Sequence, residues 1–304
     1  MRALGKSHSL PKRFEFILRG VRFHDFSFYI PHYLQQSFLP ILNNLTTLFL
    51  DLGPDMMPPT FQENRESKCP HYHLRHFLAE TPNLEHLRVN FSSGISEFYD
   101  SSFLKWLSEP VGIVLQSQNH NILKSFEFPR TIALCRLRQL DIGEIKVEAE
   151  VLLSVVEKFK GSLETLSMHK VCIENIDRNA TNAKSNLWAE FFKELSYITV
   201  NLRAINMTSL QQVWRRRHSC RDVNFKGSSP PNSRRWAGTN MQSALRDFVA
   251  QVEVVWEFGD SNFPNFEPKS ESYEDNMSDE GDDDGMVDVF IVDPDNSSDD
   301  QDDE

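Results

Sequence analysis

A short pattern of apolar positions, Leu-x-x-Leu-x-Leu, returns along the chain with polar residues between. It reads Leu45-x-x-Leu48-x-Leu50, Leu84-x-x-Leu87-x-Val89, Leu137-x-x-Leu140-x-Ile142, Leu163-x-x-Leu166-x-Met168 and Leu202-x-x-Ile205-x-Met207. A sixth copy, Leu18-x-x-Val21-x-Phe23, opens the series. The alternation at the end of each copy has period 2, which predicts a strand with one buried face. Between copies, apolar residues recur at helical spacing. Such groups are Leu34, Phe38, Ile41 and Leu42; Leu74, Phe77 and Leu78; Phe103, Leu104, Trp106 and Leu107; Leu187, Trp188, Phe191, Phe192 and Leu195; and Leu245, Phe248 and Val249. The clearest helix is predicted over Val147 to Phe159, with Val151, Leu152, Val155, Val156 and Phe159 on one face and Gly161 as the stop. A last strand is predicted over Val252 to Trp256. Leu123-x-x-Phe126-x-Phe128 also fits the pattern, but lies 14 residues before Leu137, too close for a full unit.

The first leucines are 27, 39, 53, 26 and 39 residues apart. The short spacings match one leucine-rich repeat of roughly 20–29 residues, and the long ones read as repeats with insertions. A six-residue strand cannot bury its face alone; its helix covers one side and the next repeat covers its edge. The expected fold is therefore α/β: an irregular leucine-rich-repeat solenoid with a curved parallel sheet and outer helices. Residues 53–70, 118–136 and 209–238 break the pattern and read as loops, the last a long one rich in Arg, Ser, Pro and Gly.

Charge divides the chain. Residues 271–304 hold 16 acidic and no basic residues; the rest carries 32 basic against 28 acidic, so the net −12 belongs to the tail. Like charge with few apolar residues predicts disorder. The expected organisation is a repeat domain over 1–257 and a disordered acidic tail over 258–304. The first residues lack an apolar signal region, and no stretch is long enough for a membrane span. Cys69, Cys135, Cys172 and Cys220 show no motif spacing, so reduced thiols in cytoplasm or nucleus are expected, and no membrane association.

The run Leu137 to Glu174 resembles the leucine-rich region of fungal F-box proteins, as do TPNLEHLRVNF (81–91) and the stretch 9–52. The likeness covers roughly residues 9–257. It implies protein recognition of the kind performed by the substrate-binding repeats of an F-box ubiquitin-ligase adaptor. In that family an F-box of about fifty residues docks on the Skp–cullin ligase. Here the first repeat starts by Leu18, so that link is expected only if an F-box is supplied outside this chain. The Asn that usually follows the third apolar residue of a repeat is also absent.

Strand alternation places the polar positions of the copies on the concave face, a stripe of Arg22, His24, Phe49, Asp51, His86, Arg88, Asn90, Gln139, Asp141, Thr165, Ser167, His169 and Asn206. Mixed charge with an aromatic suits a protein partner or ubiquitination substrate. A second candidate lies in the tail: Val289, Phe290, Ile291 and Val292 resemble a SUMO-interacting motif, which would add a strand to a partner sheet. This supports the alternative function, a repeat-only scaffold acting through its acidic tail on SUMO, histones or chromatin. Nucleic acid is not expected, because no basic stripe interleaved with aromatics appears, although Trp214 to Arg217 could serve nuclear import. Cys69, His71, His73 and His76 cluster without a converging second pair, so no metal is expected. No phosphate-binding loop, GxSxG or HExxH is present, and neither catalysis nor a cofactor is expected.

Overall fold

The computed structural model describes residues 13–17, 23–53, 71–91, 101–111, 131–175, 185–198, 201–214 and 220–256. Twelve strands and six α-helices are described. The strands are β1 (Phe14–Ile17), β2 (Leu45–Leu52), β3 (His86–Phe91), β4 (Gln139–Gly143), β5 (Lys146–Val147), β6 (Thr165–His169), β7 (Cys172–Asn175), β8 (Ala204–Thr208), β9 (Gln211–Trp214), β10 (Arg221–Phe225), β11 (Ser233–Ala237) and β12 (Val252–Val254). The helices are α1 (His32–Asn43), α2 (Tyr72–Ala79), α3 (Ser102–Ser108), α4 (Ala149–Lys158), α5 (Leu187–Tyr197) and α6 (Met241–Gln251). The fold is mixed α/β with two sheets rich in parallel pairing.

The larger sheet has the order β1-β2-β3-β4-β6-β8-β11 and is parallel except for β11. Its register follows the apolar pattern: Leu48, Leu87, Leu140, Leu166 and Ile205 stand in one row, and Leu50, Val89, Ile142, Met168 and Met207 in the next. All ten are buried, as are the leading leucines Leu45, Leu84, Leu137, Leu163 and Leu202. A one-residue slip would turn these rows out of the core, so the pattern alone fixes the pairing. The helices pack in chain order, α3 on α4, α4 on α5 and α5 on α6.

A second sheet, β12-β10-β9-β7-β5, contains the expected last strand as β12, while its other four strands have no counterpart in the pattern above. Three consecutive units make it by the same corner. After β4, β6 and β8 the chain turns through a left-handed residue, Glu144 (φ 54), Lys170 (φ 51) and Ser209 (φ 52). A buried apolar residue follows each turn: Ile145, Val171 and Leu210. The chain then enters β5, β7 or β9. The corners are tied to one another, since Glu144 donates its N–H to His169 O (2.8 Å) and Lys170 to Thr208 O (2.9 Å).

One expectation lies mostly outside the described residues and another is corrected. Of the expected Leu18 to Phe23 copy, residues 18–22 lie outside the described residues and Phe23 bridges to Leu52; the described first strand, β1, begins four residues before Leu18, with Phe16 opposite Leu48. Phe-Glu-Phe-Ile alternates as well as the leucine copy does, and aromatic residues fill the same core row. The described residues of the stretch 209–238 are not one long loop. They hold β9, β10 and β11, with Val213 of β9 and Val223 and Phe225 of β10 buried. β10 pairs antiparallel with β9, and β11 with β8 of the larger sheet, so the leucine spacing disappears while the strands remain.

Candidate functional site

The outward positions of the larger sheet form a grid. One row runs Ile17, Phe49, Arg88, Asp141, Ser167, Asn206 and Arg235. A second runs Thr47, His86, Gln139, Thr165 and Ala204, and a third Asp51, Asn90, Gly143, His169 and Thr208. The expected stripe residues Phe49, Asp51, His86, Arg88, Gln139, Asp141, Ser167, His169 and Asn206 therefore share one face. Arg22 and the tail residues Val289, Phe290, Ile291 and Val292 lie outside the described residues.

The stripe is less open than the alternation predicts. His169 is exposed, while the other eight are half-buried. Strands about 4.8 Å apart bring neighbouring side chains into contact, and here they bond. The centre is Asp141. His86 Nε2 lies 2.9 Å from its Oδ2, and Gln139 Nε2 donates to both oxygens at 3.1 and 3.3 Å. The His86 and Asp141 side chains are 20% and 18% exposed. Burial raises the Asp141 carboxyl pKa, but hydrogen bonds from His86, Gln139 and Ser167 and the charge of His86 outweigh it. The carboxyl is held below its ordinary 3.8.

Around this centre, Phe49 meets the His86 ring edge-on (4.5 Å) and the Arg88 guanidinium lies 6.0 Å from the Phe49 ring centre. Asn90 Nδ2 donates to Asp51 Oδ1 (2.9 Å), and Asn206 Nδ2 to Ser167 Oγ (3.1 Å). Gly143 makes room for the Asn90 amide, because a Cβ there would displace Asn90 Oδ1. The His169 imidazole is pushed below its ordinary pKa by partial burial and then by Lys170 and Arg88, against Glu144. Asn206 Oδ1 is a buried acceptor without a hydrogen-bond partner among the described residues.

A depressed carboxylate gives a pH signature. Asp141 binds its proton less readily folded than unfolded, so its contribution is present above about pH 4 and fades as pH falls through the lower folded value. Asp141→Asn is expected to be less stable than wild type at pH 7. The gap in urea midpoint should narrow as pH falls below 4; a gap independent of pH would show that the charge is not what matters.

Sequence reasoning missed two features. Arg235 joins the central row opposite Asn206 through β11, a segment whose sequence, Ser-Arg-Arg-Trp-Ala, carries no period-2 signal. The second is an aromatic and histidine pocket of about 280 Å³, lined by residues including Tyr29, Phe38, His73, His76, Phe77 and Glu80. Its wall depends on Asp25, 5% exposed in a 3-10 turn (Asp25–Phe28). Asp25 accepts the N–H groups of His73 and Leu74, both at 2.9 Å, and so caps α2 from a distant segment. His71, before α2, is itself left-handed (φ 59) and supplies no cap. The His73 ring meets Phe26, Tyr29 and Tyr72 at 5.2–5.6 Å. Burial, then His73, pushes the His76 pKa down, against Glu80 and Asp25. Among the described residues no cluster of three or more His, Cys, Asp or Glu side chains could hold a metal, and no helix is long and apolar enough to cross a membrane.

The chain matches no protein-family model, no curated protein and no solved structure.

Proposed function

We propose that the chain is a protein-recognition module, a leucine-rich-repeat solenoid whose stripe from Phe49 to Arg235 receives a protein partner. The observation that carries this reading is the prepared state of the stripe. Its polar side chains are already fixed by mutual bonds, so little side-chain entropy remains to be lost on binding. It also offers a group with capacity left over, the Arg88 guanidinium beside Phe49. Aromatic and Arg anchors are the residue types that dominate protein interfaces. The reading resembles the substrate-recruiting half of an F-box ubiquitin-ligase adaptor, working in cytoplasm or nucleus, with the ligase-docking half supplied elsewhere.

The clean test is Arg88→Glu. Arg88 is half-buried, and its contact to Phe49 is worth on the order of 1 kcal/mol, so the fold should survive. Asp141 is not a neutral test site, because its removal strips His86 and Gln139 of their acceptor. In quantitative affinity capture from eukaryotic extract, one partner set should bind wild type and a chain ending at Trp256. It should fall about tenfold or more with Arg88→Glu, the equivalent of ~1.4 kcal/mol. Partners that ignore Arg88→Glu and vanish with the tail would overturn this reading in favour of a scaffold that binds SUMO or histones through residues 258–304.

A further inference from the structure

Cys172 and Cys220 are 48 residues apart in sequence, yet their sulfurs are 3.6 Å apart, with Cys172 Sγ–H directed at Cys220 Sγ. Neither is in a disulfide. Cys172 opens β7, is 5% exposed, and stands beside Lys146 of β5 in register. Cys220 is half-buried and sits one residue before β10, outside the strand ladder. The two thiols are therefore unequal. The hydrogen bond from Cys172 holds Cys220 as a thiolate with pKa lowered to about 6, helped by Lys146, against burial, Asp222 and Glu174. The same bond, with burial, pushes Cys172 well above its ordinary value. An accessible thiolate beside a buried thiol is the arrangement in which one sulfur attacks and the other resolves.

We propose that Cys172 and Cys220 form a redox site that closes into an intrachain disulfide on exposure to a hydroperoxide, with Cys220 reacting first. The Cys220 thiolate attacks a peroxide oxygen, the O–O bond breaks, and the departing hydroxide takes up a proton to become water. Cys220 is then a sulfenic acid. The Cys172 sulfur displaces that hydroxyl, which leaves with the Cys172 proton as a second water, and the S–S bond forms. In total the two sulfurs lose two electrons and the peroxide gains them. A disulfide needs the sulfurs at about 2 Å, and Cys220, lying outside the ladder, is the member free to close the gap. A dithiol reductant reverses the step. The bond would tie β7 to the entry of β10 across the intervening β9. This inference stands apart from the partner reading above.

The test uses the full reduced chain at pH 7, treated with one equivalent of hydrogen peroxide, then alkylated and mapped without reduction. The expected product is a peptide pair joined through Cys172 and Cys220, 2 Da lighter than the two thiols and released by dithiothreitol. Without peroxide, Cys220 should alkylate about two- to fourfold faster than the exposed Cys135 at pH 7, since the larger thiolate fraction is partly offset by the weaker nucleophilicity of a low-pKa thiolate, and the ratio should widen as pH falls towards 6. Cys172→Ala should bring Cys220 towards the Cys135 rate and leave peroxide-treated Cys220 as sulfenic or higher acid. Equal rates at Cys220 and Cys135, or thiol loss without the Cys172–Cys220 link, would overturn the proposal. So would links to Cys69 or Cys135 in equal yield. The mapping of wild type stands even if Cys172→Ala fails to fold.

Discussion

Trp188→Ala is expected to be the most damaging single substitution described here, lowering stability by about 4–6 kcal/mol. Trp188 is 0% exposed and its ring lies 5.4 Å from Phe191 and 5.7 Å from Phe192. Phe192 continues to Phe248 of α6 (5.6 Å), so this aromatic group joins α5 to the last helix. Truncation to alanine leaves a large cavity, about 3–5 kcal/mol by itself. The indole also donates Nε1–H to Gln211 O at 2.7 Å, joining α5 to β9, and losing that bond in a buried setting costs about 1 kcal/mol more. Because domains are stable by only about 5–15 kcal/mol, the variant should melt at least roughly 10 °C lower or be recovered unfolded. Trp188→Phe, which keeps most of the volume but not the donor, should recover more than half the loss. A melting point within 3 °C of wild type for Trp188→Ala would mean that α5 does not anchor the C-terminal units.

The second large effect is at Asp25. Its carboxylate is buried and both oxygens are engaged by N–H groups at the start of α2, where the helix dipole also favours negative charge. Asp25→Ala removes a cap and leaves two donors without their acceptor, an expected loss of about 2–3 kcal/mol. Asp25→Asn keeps one acceptor oxygen and should lose about half as much. The loss is local, so amide hydrogen exchange is the decisive measurement. His73 and Leu74 should lose protection in Asp25→Ala while Leu140 and Leu166, in the middle of the larger sheet, keep theirs. Uniform loss, or none at His73 and Leu74, would remove the capping role.

The core of the larger sheet was legible because burial on one face of a strand leaves a period-2 mark, and from Leu48 to Met207 that mark is undisturbed. The register of Phe49, Arg88, Asp141, Ser167 and Asn206 follows from it directly. What the sequence hid obeys other rules. The second sheet is made of strands of two to five residues, too short to show a period, reached through left-handed corners at Glu144, Lys170 and Ser209 where no glycine gives a signal. β1 was not anticipated because Phe14 and Phe16, partly buried, take positions opposite Leu45 and Leu48 that other strands fill with leucine. β11 was lost because arginines at two of its five positions resemble a solvated loop. The Asp25 cap and the Cys172–Cys220 contact join residues 48 or more apart, and nothing local announces such meetings.

The lone antiparallel strand of the larger sheet gives the sheet two unlike ends. β11 closes one end with reversed polarity and with Arg234 and Arg235 in its middle, charges that oppose the addition of a further strand from another molecule. At the other end β1 offers Phe14-Glu15-Phe16-Ile17, with Ile17 45% exposed and a single carboxylate as its only charge. Among the described residues the two edges are therefore unequal templates: β11 sets two cations against strand addition, whereas β1 sets one carboxylate between aromatic residues.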